Sequence, residues 1–182
     1  MTLSPRLRKF VLTVHVASSV GWLGAVACSL VLAAIGLVGE DARLVRAAYL
    51  AMGAIGGGVL VPLALASLAT GLVQGLGTEW GLFRHYWVLI KLMINVFATV
   101  VLLLYTQTLG RLAHLAADPK VGLAELRDPS PALHATGALL LLVVATILSV
   151  YKPRGVTPHG WRKQREGRRK RRVGRSDLGH AE

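Results

Sequence analysis

His15, Lys91 and Asn95 are side chains able to ligate, pair with charge or carry protons, and each stands in a stretch that is otherwise almost wholly apolar. A histidine of ordinary pKa near 6.5 is, when neutral, a ligand for a metal ion or haem iron, or a proton shuttle. A lysine at the same depth can pair with an anionic group such as the carboxylate of a porphyrin or quinone-like ligand. Further polar residues recur at helical spacing around these three. Ser18, Ser19 and Trp22 share a face with His15, Asn95 and Thr99 share one with Lys91, and Ser67, Thr70 and Gln74 form another, as do Thr146 and Ser149. Polar side chains in hydrocarbon are costly, so their recurrence points to a use. Two uses stand open. The residues form a ligand-holding centre, or they hold helices together while Lys91 snorkels to the headgroups and the hydroxyls bond their own backbone.

The elements that carry these residues are four apolar stretches, at about residues 10–38, 58–77, 86–109 and 132–151. About 20 helical residues cross a hydrocarbon core of roughly 30 Å, so each stretch is long enough to span. Strands of a barrel are shorter and alternate, which excludes that architecture. The expected fold is therefore all-α, a four-helix transmembrane bundle, antiparallel and up-and-down, over residues 1–152. Gly53, Gly56, Gly57, Gly58 and Pro62 predict a break or kink near Gly57, with residues 44–56 as a tilted extension or an interfacial helix. Gly71 and Gly75 have the GxxxG spacing of a helix-packing face, and Gly21 and Gly24 allow close approach on the first helix. Residues 110–131 read as a polar loop that has room for short helices and is broken by Pro119 and Pro129, with Ser130 as N-cap of the last helix. Cys28 is the lone cysteine, so no intramolecular disulfide forms, and its expected role is packing.

Of the 182 residues 53% are hydrophobic and only 16% charged, a composition of polytopic membrane proteins. The net charge of +12 argues for nucleic acid only if it is spread over a fold, and it is not. Residues 152–182 hold 11 Lys and Arg against three acids, a net +8, including the run Arg168 to Arg172. This segment cannot bury enough apolar surface to fold alone and is expected to be a disordered basic tail over 153–182 that attracts anionic lipid. With Arg6, Arg8 and Lys9, it places both termini in the cytoplasm, as four crossings require. On that topology His15 and Lys91 each lie five residues from the inner ends of their helices, at matching depth. Helices two and four run the other way and bring their polar residues into the same inner half. His134 falls at the opposite end, too far from His15 for both to ligate one haem.

His15 followed by Trp22 and Gly24, then Thr70-Gly71, then Trp87 and Lys91-Leu92, resemble the membrane domain of copper-resistance D-type proteins. They are also similar to bacterial membrane-bound protoporphyrinogen oxidases and to four-helix bacterial membrane proteins of similar size. The resemblance covers about residues 10–152. It implies a protein of the bacterial inner membrane in which His15 is a haem or metal ligand and Lys91 belongs to the same site. Trp22 and Asn95 then complete the cofactor-binding set, with haem b as the implied cofactor and redox or porphyrin chemistry as the implied role. Copper transport lacks its soft ligands here, since Met52 and Met93 are the only internal methionines. The alternative is a non-enzymatic membrane subunit whose polar faces pack helices and whose tail docks lipid or a partner. The expected partners are the bilayer, anionic lipid at the tail, and a second copy or another membrane protein.

Overall fold

A computed structural model describes residues 4–77 and 86–151, and among these the chain is helical with no strand. The basic tail, Trp80, Phe83, Arg84, His85, His159 and His180 lie outside the described residues. The helices are α1 (Pro5–Val38), α2 (Ala42–Ile55), α3 (Val61–Gly77), α4 (Tyr86–Ala117), α5 (Leu123–Leu126) and α6 (Ser130–Tyr151). Four helical stretches are long and apolar enough to cross a membrane: Pro5–Val38, Ala42–Gly77, Tyr86–Ala117 and Leu123–Tyr151. α1 begins where Ser4 accepts the Leu7 N–H at 3.4 Å and Pro5 presets the first turn, five residues before the expected start.

α1 packs on α3 and α2, α4 packs on the same two, and α6 closes the ring by packing on both α1 and α4. The result is an up-and-down bundle with two ends. One carries Ser4, Gly77, Tyr86 and Tyr151 and is called the terminal end below; the other carries the α1–α2 and α4–α6 connections and is called the loop end. The interior holds Ser67 at 2% exposure and Thr99 at 3%, while Leu104 and Leu133 each stand 69% exposed on the outside. Apolar residues outward and polar residues inward is the arrangement a hydrocarbon solvent selects.

Of the break or kink expected near Gly57, the structure has no open break but a local departure from α geometry at that place. The backbone passes from α2 to α3 through a π turn, Gly56–Leu60, so that Ala42 to Gly77 is one continuous helical crossing. A π turn absorbs one extra residue while keeping every peptide group bonded, which in hydrocarbon is preferable to an open break. Residues 44–56 are not laid on a surface. Val45, Ala48, Tyr49 and Met52 are buried, and all but Ala48 join Ala33, Leu109, Leu112, Ala116 and Leu126 in a core cluster at the loop end.

The expected loop after Leu109 is largely helix, because α4 runs on to Ala117 and α5 follows. Arg46 ends α4: its guanidinium donates to the carbonyls of Ala116 (3.0 Å), Asp118 (2.7 Å) and Val121. Such terminal carbonyls have no helical partner of their own. Ser130 is not the N-cap. It is already helical, its N–H is taken by the Asp128 carboxylate at 2.8 Å, and its hydroxyl is bonded to Tyr105 instead. Cys28 is exposed on α1 rather than packed among helices. Gly21 lies in ordinary contact distance of Leu63, whereas a Cβ at Gly24 would meet nothing.

Candidate functional site

Hydrogen bonds tie α1 to α3 in three rungs, four residues apart along α1. Nearest the termini, the Gln74 amide donates to the Val11 carbonyl at 3.3 Å. One turn on, His15 Nδ1 lies 3.1 Å from the Ser67 carbonyl and 3.0 Å from Thr70 Oγ1. At the third rung the Ser19 and Ser67 hydroxyls bond at 2.8 Å, and Asn95 of α4 donates from Nδ2 to Ser67 Oγ at 3.4 Å. The residues on α3 descend as those on α1 ascend, as antiparallel helices require.

The acceptors fix the histidine tautomer. A carbonyl can only accept, so Nδ1 carries the proton that Ser67 O receives. The Thr70 hydroxyl spends its own proton on the Ala66 carbonyl at 2.6 Å, so its oxygen also accepts from Nδ1. Nε2 is left with its lone pair. A ring held by Nδ1–H on a backbone carbonyl, with Nε2 bare, is the arrangement of a metal- or haem-ligating histidine. Gly71 makes room for the ring: a Cβ there would stand 3.1 Å from His15 Cε1. The glycine of the expected packing motif therefore seats a functional side chain as well as a helix.

Lys91 lies one turn from Asn95 toward the terminal end, which sets it near the His15 rung. It is half-buried, and its ammonium stands 5.8 Å from the centroid of the Trp87 ring. The matching depth expected for His15 and Lys91 agrees with this register. On α4, Asn95 Oδ1 and Thr99 Oγ1 are buried with no hydrogen-bond partner. Buried polar atoms are nearly always satisfied, so this orphaned pair is suited to a water molecule or a polar group of a ligand.

Three expected contributors, Trp22, Thr146 and Ser149, are placed elsewhere. Trp22 is 2% exposed in an apolar cluster with Val26, Leu60, Ala64, Ala98 and Leu142, beyond the third rung toward the loop end. Thr146 and Ser149 donate to the Leu142 and Ala145 carbonyls of their own helix, each at 2.8 Å. Ser and Thr readily satisfy themselves in this way, so α6 adds no polar face and the centre is built from three helices rather than four. Ser18 likewise bonds the His15 carbonyl on its own helix at 3.1 Å. Spacing alone did not single out Ser67 as the residue on which α1, α3 and α4 converge.

Among the described residues no group of three or more His, Cys, Asp or Glu could hold a metal ion. A closed four-ligand metal site built from such side chains is therefore not found among the described residues around His15. No protein-family model, curated protein or solved structure matches the chain.

Ser67→Ala is expected to lower the unfolding free energy by about 1 kcal/mol, since membrane-buried hydrogen bonds average roughly 0.6 kcal/mol and two converge on that hydroxyl. Unfolding by dodecyl sulfate titration in mixed micelles reads the change. Ser18→Ala, which removes only a bond within α1, is the comparison and should cost less.

Proposed function

We propose that the chain is a multi-pass protein of the bacterial inner membrane, with both termini cytoplasmic, that binds a haem b or metal ion at His15 and serves a redox or porphyrin-related role. The observation that supports this is the His15 ring, oriented by Ser67 and Thr70 with Nε2 bare. When bound, a haem supplies one-electron chemistry. The chain's own part is to fix the tautomer, to offer Lys91 to a porphyrin carboxylate, and to offer Asn95 Oδ1 and Thr99 Oγ1 to a polar substituent. On this reading the terminal end is the cytoplasmic half, anionic lipid covers the basic tail, and a second copy or another membrane protein docks against the bundle.

The test is optical. The full chain purified in mild detergent after haem-supplemented expression is expected to show a Soret band that is lost in His15→Ala and retained in His134→Ala. A colourless, metal-free preparation that remains helical would sink the reading. The role would then be that of a non-enzymatic membrane subunit, which the Ser19, Ser67 and Asn95 bonds favour because they join three helices without any ligand.

A further inference from the structure

We propose that a cleft at the loop end of the bundle binds a single-chain lipophile with a hydroxyl-bearing ring as its head group, the chemistry of a quinol. This site lies on the far side of Trp22 from His15 and does not depend on a haem or metal there.

The cleft has a volume of about 290 Å³ and runs between α1, α4 and α6. Its walls are apolar, formed chiefly by Trp22, Leu60, Phe97, Leu102 and Leu141. The lining residues run from Pro131 to Leu141 on α6 and from Phe97 to Leu109 on α4. At 1.5 Å per residue these stretches are roughly 15 to 18 Å long, so the space is a slot suited to a chain and not a round chamber. Two lining residues, Phe97 and Leu133, are 58% and 69% exposed, which opens the slot sideways to lipid. A water-soluble ligand has no reason to enter it; one already dissolved in the bilayer does.

The loop end of the slot is polar and planar. Tyr105 and His134 both line it, and their rings stack at 3.8 Å between centroids and 14° between planes. The Tyr105 hydroxyl is held by Ser130 Oγ at 2.6 Å, and His134 Nδ1 lies 2.8 Å from the Ser130 carbonyl. That carbonyl only accepts, so Nδ1–H donates and Nε2 is bare, as at His15. His134 is exposed although one ring face is covered by Tyr105, leaving the other face for a planar head group. A bare nitrogen accepts from a ring hydroxyl and has nothing to give a carbonyl. The head group that fits is therefore the reduced ring, not the oxidised one.

Gly137 supplies the variant that fills the slot. It lines the cleft, and a Cβ built on it meets nothing within 4 Å. Gly137→Leu thus places a side chain in open space and improves helix propensity. The probe is decylubiquinol with the full chain in lipid nanodiscs, and the readout is ligand retained with the protein at equilibrium. Saturable binding at one per chain is expected, weakened at least tenfold by Gly137→Leu and about fivefold by His134→Ala, the worth of one hydrogen bond. Decylubiquinone is expected to bind several-fold more weakly than the quinol. Decanol competing as well as the quinol would show a slot for any acyl chain and overturn the proposal. So would binding unchanged in His134→Ala, an exposed position whose loss leaves the bundle intact, or no saturable binding at all.

Discussion

Arg46→Ala is expected to lower the unfolding free energy by about 3 kcal/mol, the largest loss for any single side chain removed from the described connections. The guanidinium donates to three carbonyls, of Ala116, Asp118 and Val121, that end α4 and begin the path to α5. Hydrogen bonds from charged groups are worth roughly 1.5–3 kcal/mol each and are not additive when they share one donor group. Removing the donor also leaves partly buried carbonyls unmet. Arg46→Lys should recover only part of the loss, because an ammonium cannot reproduce a planar fork aimed at separate acceptors. Arg43→Ala is the control, since Arg43 is exposed and takes part through its backbone N–H alone, which Asp41 caps at 2.8 Å. Dodecyl sulfate titration of the three variants separates these effects; an Arg46→Ala protein as stable as Arg43→Ala would refute the role given to the guanidinium.

Gly53→Leu is expected to cost a comparable amount, about 3 kcal/mol, through overpacking. A Cβ at Gly53 would stand only 2.7 Å from the Ala113 Cβ, so even alanine forces α2 away from α4. That pair of helices encloses the core cluster around Tyr49, Met52, Leu109 and Leu112, and a shift there loosens the whole loop end. Gly57→Leu is the contrast. Its Cβ meets nothing within 4 Å, so the same side chain enters lipid and the helix gains propensity. The same titration should find Gly57→Leu neutral or stabilising and Gly53→Leu strongly weakened. Equal behaviour of the two would mean that α2 and α4 do not approach as closely as described.

Much of this architecture is legible in the sequence, for a reason specific to lipid. A membrane helix must satisfy its backbone internally, so length and hydropathy alone identify four crossings, and helical spacing alone groups His15 with Ser19 and Lys91 with Asn95. The register of two helices that start at the same end of the bundle is enough to bring His15 and Lys91 to similar depth. What spacing could not show is which hydroxyls turn inward. Ser67 and Thr146 look alike in sequence, yet one joins three helices and the other bonds its own turn, because the choice depends on what an adjacent helix offers. Arg46 carries no sign of its role in the sequence, since the carbonyls it binds have no sequence signature. The π turn stands where the sequence reads a break or kink: glycines permit both an open break and a helical irregularity, and the demand for unbroken hydrogen bonding in lipid decides between them. The sequence places His134 at the end opposite His15, but its stacking on Tyr105 depends on α4 and α6 being neighbours.

The apolar layer formed by Trp22, Val26, Leu60, Ala64, Ala98 and Leu142 has an electrical consequence. It separates the polar rungs from the Tyr105 and His134 pair, and its one polar group is the Trp22 indole N–H. A proton arriving along the rungs meets a dry plug where hydration is lost, a barrier of several kcal/mol for a bare charge. The bundle can thus carry ionisable groups deep within it and remain an insulator.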